Sequence, residues 1–184
     1  VSTMANLESL ATHSQAMYRD YWDGRKYNVS AKSKFADKSY VILASDNHGR
    51  MAALVERLDA QGIEMFTNDA PLKVARATTQ LGSEERGFTI PEGSLIIPNR
   101  QPDAPLVAAI LEFDAEVRKS VLVEERQRTL RDGSSLMYDT TAWNFSMMYG
   151  LPAVTVPEYL NQGLRSWQSA APTIDVAAEA IAWS

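Results

Sequence analysis

The sequence predicts an α/β fold, with a small, mostly parallel β-sheet, an added hairpin and helices on both faces of the sheet. Two short, continuous apolar runs, Ser39–Ser45 and Ile63–Thr67, are typical of strands buried on both faces. Between them, Arg50–Gln61 has the apolar spacing of an amphipathic helix, and Gly62 can end it. A β-α-β unit of this kind implies parallel strands joined by a right-handed crossover.

The chain before this unit predicts one amphipathic helix, Ser2–Asp23, which Gly24 would end. Its apolar side chains fall near helical spacing: Met4, Leu7, Leu10, Ala11, Met17, Tyr18 and Tyr21. The polar segment Arg25–Lys38 then reads as a loop or linker. We therefore expect residues 1–38 to form an N-terminal helix and linker.

The segment after the β-α-β unit predicts two further strand features. Lys73–Ile90 has a period close to two around a glycine turn, which is typical of a hairpin. Pro91-Glu-Gly93 can form a type II turn, and Ser94–Ile97 is a short apolar strand that ends at Pro98. With the two strands above, these features favour a doubly wound, flavodoxin-like or glutamine-amidotransferase-like arrangement over residues 39–171.

The second half of the chain predicts mainly helices. Ala104–Glu116 has an inward apolar face, and Val117–Arg131 is charged with high helix propensity. A third helix is expected from Asp139 or Thr140 through Met148. Residues 172–184 form a C-terminal segment that looks like a strand entering a further unit.

Composition excludes several classes of function. The net charge is −5 without a basic stripe, which argues against nucleic-acid binding. No apolar run reaches the roughly 18 residues of a membrane span. The absence of cysteine excludes disulfides, thiolate nucleophiles and cysteine-based metal sites. The N-terminal residues lack the pattern of a signal peptide, and we expect the chain to be a piece of a larger protein.

The two histidines do not form a catalytic zinc motif. A catalytic zinc site needs three protein ligands, such as a His-x-x-Glu pair and a distant third ligand. Ala16 stands three positions after His13, and Met51 three positions after His48. We therefore expect neither a metal site nor a cofactor in this chain.

The loop Ser45–Arg50 is the best candidate for a ligand site. It lies where a predicted strand enters a helix, and open α/β sheets bind ligands at such places. Ser45, Asp46, His48 and Arg50 could together hold an anion at the helix N-terminus. The alternative is a capped helix with solvated side chains. No glycine-rich nucleotide loop supports the first reading.

Other reactive groups have ordinary structural alternatives. Gly133-Ser-Ser135 lacks the pattern of a nucleophile elbow and reads as a turn. The carboxylates that could pair for acid–base chemistry are Glu84, Glu85, Asp139 and Glu158. Asp139 stands out because Tyr138 and Trp143 flank it, although an Asp before Thr-Thr is also typical of a helix N-cap. The aromatic residues around it could form core or a peptide-binding surface.

Six segments occur in a characteristic order: Tyr18-Arg-Asp-Tyr21, Tyr40-Val-Ile-Leu43, Leu58-Asp-Ala-Gln-Gly-Ile63, Pro91-Glu-Gly-Ser-Leu95, Asn99-Arg-Gln-Pro102 and Tyr138-Asp-Thr-Thr-Ala-Trp143. In order and spacing they resemble the non-catalytic region that follows the peptidase domain in large bacterial proteins of the zinc carboxypeptidase (carboxypeptidase A-like) superfamily. The resemblance covers most of residues 10–155. Val117–Asp132 departs from it, being longer and more charged than expected.

The resemblance implies a non-catalytic accessory domain of a parent protein that hydrolyses peptides. It implies a secreted or periplasmic parent, whose zinc lies in the peptidase domain, and that domain as the partner of this one. The alternative is a small-molecule or anion-binding module that uses the loop at residues 45–50. A homodimer through the predicted C-terminal strand, Ala178–Trp183, is also conceivable because an open strand edge invites pairing.

Overall fold

The computed structural model describes residues 2–113, 118–135 and 144–167. The described helices are α1 Ser2–Asn28, α2 His48–Asp59, α3 Ala104–Leu111, α4 Lys119–Asp132 and α5 Phe145–Met148. The described strands are β1 Ser39–Ile42, β2 Phe66–Asn68, β3 Leu72–Lys73, β4 Arg76–Thr79, β5 Glu84–Arg86, β6 Thr89–Ile90, β7 Leu95–Pro98, β8 Ala153–Val156 and β9 Leu164–Ser166.

Seven of these strands form one antiparallel sheet, in the order β5-β4-β8-β1-β7-β2-β9. Each neighbouring pair runs antiparallel. Strands β3 and β6 form a separate antiparallel pair. The fold class is therefore α+β.

The predicted parallel, flavodoxin-like or glutamine-amidotransferase-like α/β sheet is wrong. The two strands of the predicted β-α-β unit, β1 and β2, point the same way but are not neighbours. Strand β7 lies between them and runs antiparallel to both, with Leu95 opposite Ile42 on one side and Thr67 on the other. Continuous apolar runs report burial on both faces of a sheet. They do not report which later strand inserts between two earlier ones.

The helices that pack on the sheet cover one of its faces, which also corrects the prediction of helices on both. On that face α2 and α3 bury Leu54, Leu58 and Val107 against side chains of β1 and β7 such as Ile97. The opposite face packs against the β3–β6 pair and the segment at Leu160. Both faces of β1 and β7 are thus buried, as their apolar sequences require.

The hairpin predicted over Lys73–Ile90 exists in two parts. Its distal part is the β4–β5 pair, with Thr78 opposite Glu84, and its proximal part is the β3–β6 pair. Sequence reasoning missed two strands of the sheet. One is β9, which pairs with β2 at the edge, and the other is β8, which lies between β1 and β4 in the interior. Its four residues are all buried, and their signal was the apolar run before Pro157.

Helix α1 is longer than predicted, because it continues through Gly24 to Asn28. Its C-terminal end is tied to the body of the domain. Arg25 forms a bidentate ion pair with Asp103, with both N–O distances at 2.7 Å, and the Asn28 side chain donates to the Pro102 carbonyl. The rest of the predicted linker folds as turns, and Ala36 is buried there. The boundary proposed at residue 38 stays a prediction.

The apolar face of α1 is exposed instead of packed. We call Met4, Leu7, Leu10, Met17, Tyr18 and Tyr21 the α1 stripe; each of these side chains is at least half exposed. No helix of the described chain is long and apolar enough to span a bilayer. The exposed apolar side chains of the stripe thus take no part in the core of the domain.

Candidate functional site

A polar groove of about 600 Å³ lies on the helix-bearing side of the sheet, over strands β4 and β8. Thr78 and Thr155 stand opposite each other at its floor. Thr155 points to this side because its neighbours Val154 and Val156 point to the opposite core. The walls carry two cationic and two anionic side chains: Lys38, Arg76, Glu84 and Glu112. The volume is that of a ligand site, although the lining is more charged than is usual for one.

Lys38 and Glu112 at one wall of the groove form a connected polar cluster with Tyr40, which is buried behind them. The Lys38 ammonium donates to the Glu112 carboxylate, and the buried Tyr40 hydroxyl donates to the same carboxylate oxygen at 3.2 Å. The other carboxylate oxygen accepts from the Phe113 backbone N–H at 3.0 Å. Helix α3 ends one residue before Glu112, whose extended backbone places its side chain at the groove. The helix predicted to run to Glu116 is thus shorter than expected.

The cluster shifts the pKa of both acidic groups. Burial on its own would raise the pKa of Glu112, but the hydrogen bond and charge of Lys38, with Phe113 and Tyr40, lower it below the usual value. Burial, followed by the charge of Glu112 and their hydrogen bond, raises the pKa of Tyr40 well above its usual range. Because the pKa of Glu112 is lower in the folded protein than in the unfolded chain, its ionised form stabilises the fold at pH values above the pKa in the unfolded chain. This contribution is lost as the pH falls through the pKa in the folded protein.

Tyr40 should make the domain sensitive to alkaline pH. Its pKa is raised on folding, so its contribution is complete below the unfolded pKa of about 10 and is lost as pH rises further. We expect Tyr40→Phe to lower the free energy of unfolding by about 1.5 kcal/mol at neutral pH. Above pH 10 the difference from the wild type should shrink. Urea unfolding at a series of pH values tests this, and parallel stability curves for the two proteins would contradict it.

The remaining charged groups of the groove are also matched. Arg76 lies 3.8 Å from Glu84, and both side chains are about half exposed. The side-chain amide of Gln80, an uncharged lining residue, donates to the Ser146 hydroxyl and to the Leu151 carbonyl. Each charge of the groove thus has an opposite charge beside it.

The structure brings together only part of the predicted anion site. Ser45, Asp46 and His48 line one shallow depression together with Gly93 and Trp167. The Arg50 guanidinium instead lies against Gly150, where an added Cβ would be 2.7 Å from Nη1.

The cap of α2 is Asn47, whose side chain accepts from the Arg50 backbone N–H at 3.2 Å. Neither Ser45 nor Asp46 is the cap, and the Ser45 hydroxyl instead accepts from the Asn47 N–H at 3.2 Å. The depression thus contains the carboxylate of Asp46 and lacks the guanidinium of Arg50 among its lining residues. Anion binding at this loop stays a prediction, and the geometry does not favour it.

Tyr138, Asp139 and Trp143 lie outside the described residues, as does the predicted C-terminal strand at 178–183. Helix α5 is capped within the described chain by Asn144, which accepts from the Met147 N–H at 2.9 Å. Across residues 2–113, 118–135 and 144–167, no group of three His, Asp or Glu side chains could hold a metal ion.

Sequence reasoning missed the groove because its parts are distant along the chain. Lys38 and Glu112 are separated by 74 positions, and Thr78 meets Thr155 only through β8. The one local signal was Tyr40, a polar aromatic within an otherwise apolar strand, since a buried hydroxyl needs a partner.

The resemblance motifs that the structure describes have structural roles. The Ser94 hydroxyl donates to the Pro91 carbonyl and accepts from the Ala44 N–H, which closes the turn before β7. Gln101 joins the chain after β7 to Glu64 through its side-chain amide. These motif residues hold the two ends of a central strand.

Comparisons of this chain with protein-family models, with curated proteins and with solved structures gave no match.

Proposed function

We propose that this chain is a non-catalytic accessory domain of a zinc carboxypeptidase-like protein that hydrolyses peptides. Its partner is the peptidase domain of the same parent chain, which supplies the zinc. The observation that carries the non-catalytic part is the pairing of charges in the polar groove. Lys38 is held by Glu112, and Arg76 faces Glu84, so each of these groups is matched by an opposite charge.

The roles of the motif residues support the same proposal. A motif that carried chemistry would place reactive atoms at a cleft. The side chains of Ser94 and Gln101 instead form hydrogen bonds with backbone atoms at the ends of β7. Motif residues that stabilise the fold, and carry no reactive groups at a cleft, fit a non-catalytic domain that acts together with an adjacent domain. The attribution to the carboxypeptidase superfamily rests on the order and spacing of the segments.

A hydrolysis assay tests the non-catalytic part. The purified chain is mixed with zinc and a chromogenic peptide that has a free C-terminal carboxylate, and a known zinc carboxypeptidase serves as the positive control. We expect no turnover above that of zinc alone. Reproducible, chelator-sensitive hydrolysis that survives a further purification step would contradict the proposal.

The intact mass of the product of the native gene tests the parent. This chain has a mass of 20.4 kDa. We expect a much larger product, with a His-x-x-Glu segment in the part that precedes Val1. A native product close to the mass of this chain would exclude an accessory domain and favour a free-standing binding module.

A further inference from the structure

We propose that the α1 stripe is a self-association surface, on which α1 of a second copy of this chain packs antiparallel. At about 100° of rotation per residue, all six stripe residues fall within an arc of about 140°, and Trp22 lies at its edge. The seven side chains are 50–75% exposed. A contiguous apolar surface of this kind marks an interaction site.

The stripe extends away from the body of the domain. Residues 3–24 of α1 are exposed apart from the half-buried Ser14, and they span about 33 Å. The body is joined at the other end, through Arg25 and Asn28. A second helix can therefore approach the stripe along most of its length.

A heptad series runs along the middle of this face of α1, through four stripe residues together with Ala11 and Ser14, and it matches itself when the second helix is reversed. Met4, Leu7, Ala11, Ser14, Tyr18 and Tyr21 follow one another at intervals of three, four, three, four and three residues, which is a heptad pattern. This series reads the same in both directions. An antiparallel pair thus places Met4 opposite the partner's Tyr21 and Leu7 opposite the partner's Tyr18.

Size and position also favour this orientation. The large aromatic side chains meet smaller aliphatic ones at each end, and Ala11 meets the partner's Ser14 at the centre. A parallel pair would instead set Tyr18 and Tyr21 against their own copies and bring both bodies to the same end. Antiparallel packing separates the bodies and aligns the helix dipoles favourably.

Charge gives an independent argument. Glu8 and Arg19 lie beside the edge of the stripe that carries Trp22. The antiparallel register places Glu8 and the partner's Arg19 on the same side of the seam, and does so twice, whereas in a parallel pair these edges of the two helices lie on opposite sides and the pairing is lost. The polar face of α1 also carries Asp20 and Asp23, so it lacks the cationic excess that an anionic membrane surface attracts.

The interface is small. About ten residues of each α1 would be buried, fewer than the roughly 20–30 per side of a standard interface. We therefore expect a reversible dimer with a dissociation constant on the order of micromolar. This inference is independent of the proposed accessory function, because it predicts association of the chain without reference to any peptidase.

Sedimentation across a range of protein concentrations tests the dimer. We expect a monomer–dimer equilibrium, and Leu7→Glu or Tyr18→Glu should raise its dissociation constant by more than about tenfold. The matched control is Ser9→Glu, which adds the same charge to the opposite face of α1 and should leave the equilibrium unchanged. Circular dichroism verifies that each variant remains folded.

Cysteine cross-linking tests the orientation, since the chain has no cysteine of its own. Met4→Cys and Tyr21→Cys proteins are mixed and oxidised. We expect cross-links between the two variants and few within either one. A monomer at every concentration, a dimer that Leu7→Glu does not weaken, or dominant cross-links between Met4→Cys chains would overturn the proposal. A monomer that co-sediments with anionic vesicles would also overturn it, in favour of a membrane contact.

Discussion

Replacing Leu54 by alanine is expected to lower the free energy of unfolding by about 2–5 kcal/mol. Leu54 is fully buried and lies in the core that joins α2 to the sheet. Truncation removes its apolar contacts with that core and leaves a cavity that the surrounding strands cannot fill. Urea denaturation followed by circular dichroism measures the loss.

Leu81→Ala is the matched control for this change. Leu81 lies in the turn after β4 and is 90% exposed, so its truncation should change stability by less than about 0.5 kcal/mol. If the two variants had equal effects, the packing of α2 against the sheet described here would be wrong.

Replacing Gln101 by leucine is expected to cost about 2–3 kcal/mol, although leucine has a similar volume. The buried Gln101 amide accepts from the Glu64 N–H at 2.9 Å and donates to the carbonyls of Pro98 and Glu64, at 2.9 and 3.3 Å. Leucine satisfies none of these groups, and each unpaired buried polar group costs about 1–3 kcal/mol. Thermal and urea unfolding measure the loss.

Gln61→Leu is the comparison for Gln101→Leu, because Gln61 is a partly exposed glutamine near the end of α2. We expect it to change the free energy of unfolding by less than about 0.5 kcal/mol. A near-neutral Gln101→Leu would contradict the structural role that we assign to the Asn99–Pro102 motif.

Local patterns identified most of the elements that the structure describes. The apolar runs at β1 and β7 and the periodicity of α2 were sufficient, because burial of a strand or of one helix face is recorded in neighbouring residues. The ends of elements were less accurate. Gly24 did not end α1, since glycine is tolerated within a helix, and α3 stopped before Glu112.

The site was less accessible to sequence reasoning than the fold. The sequence predicted a site at the loop Ser45–Arg50 because its candidate residues are adjacent along the chain. In the structure, the Arg50 side chain lies against Gly150 and not beside the other candidates. The groove could not be predicted from the sequence, because Lys38, Glu112 and Thr155 come from three segments that are distant along the chain. A convergence of this kind has no local signature.

The sequence by itself determined most of the segments that form helices and strands, which side chains are apolar enough to form a core, and that the histidines carry no His-x-x-Glu zinc motif. Only the tertiary structure decided that β7 lies between β1 and β2, that β8 joins the sheet interior, and that the α1 stripe is left exposed. The physical reason is that periodicity records the burial of each segment on its own. Strand order and the choice of packing partner depend on contacts between residues far apart in the chain.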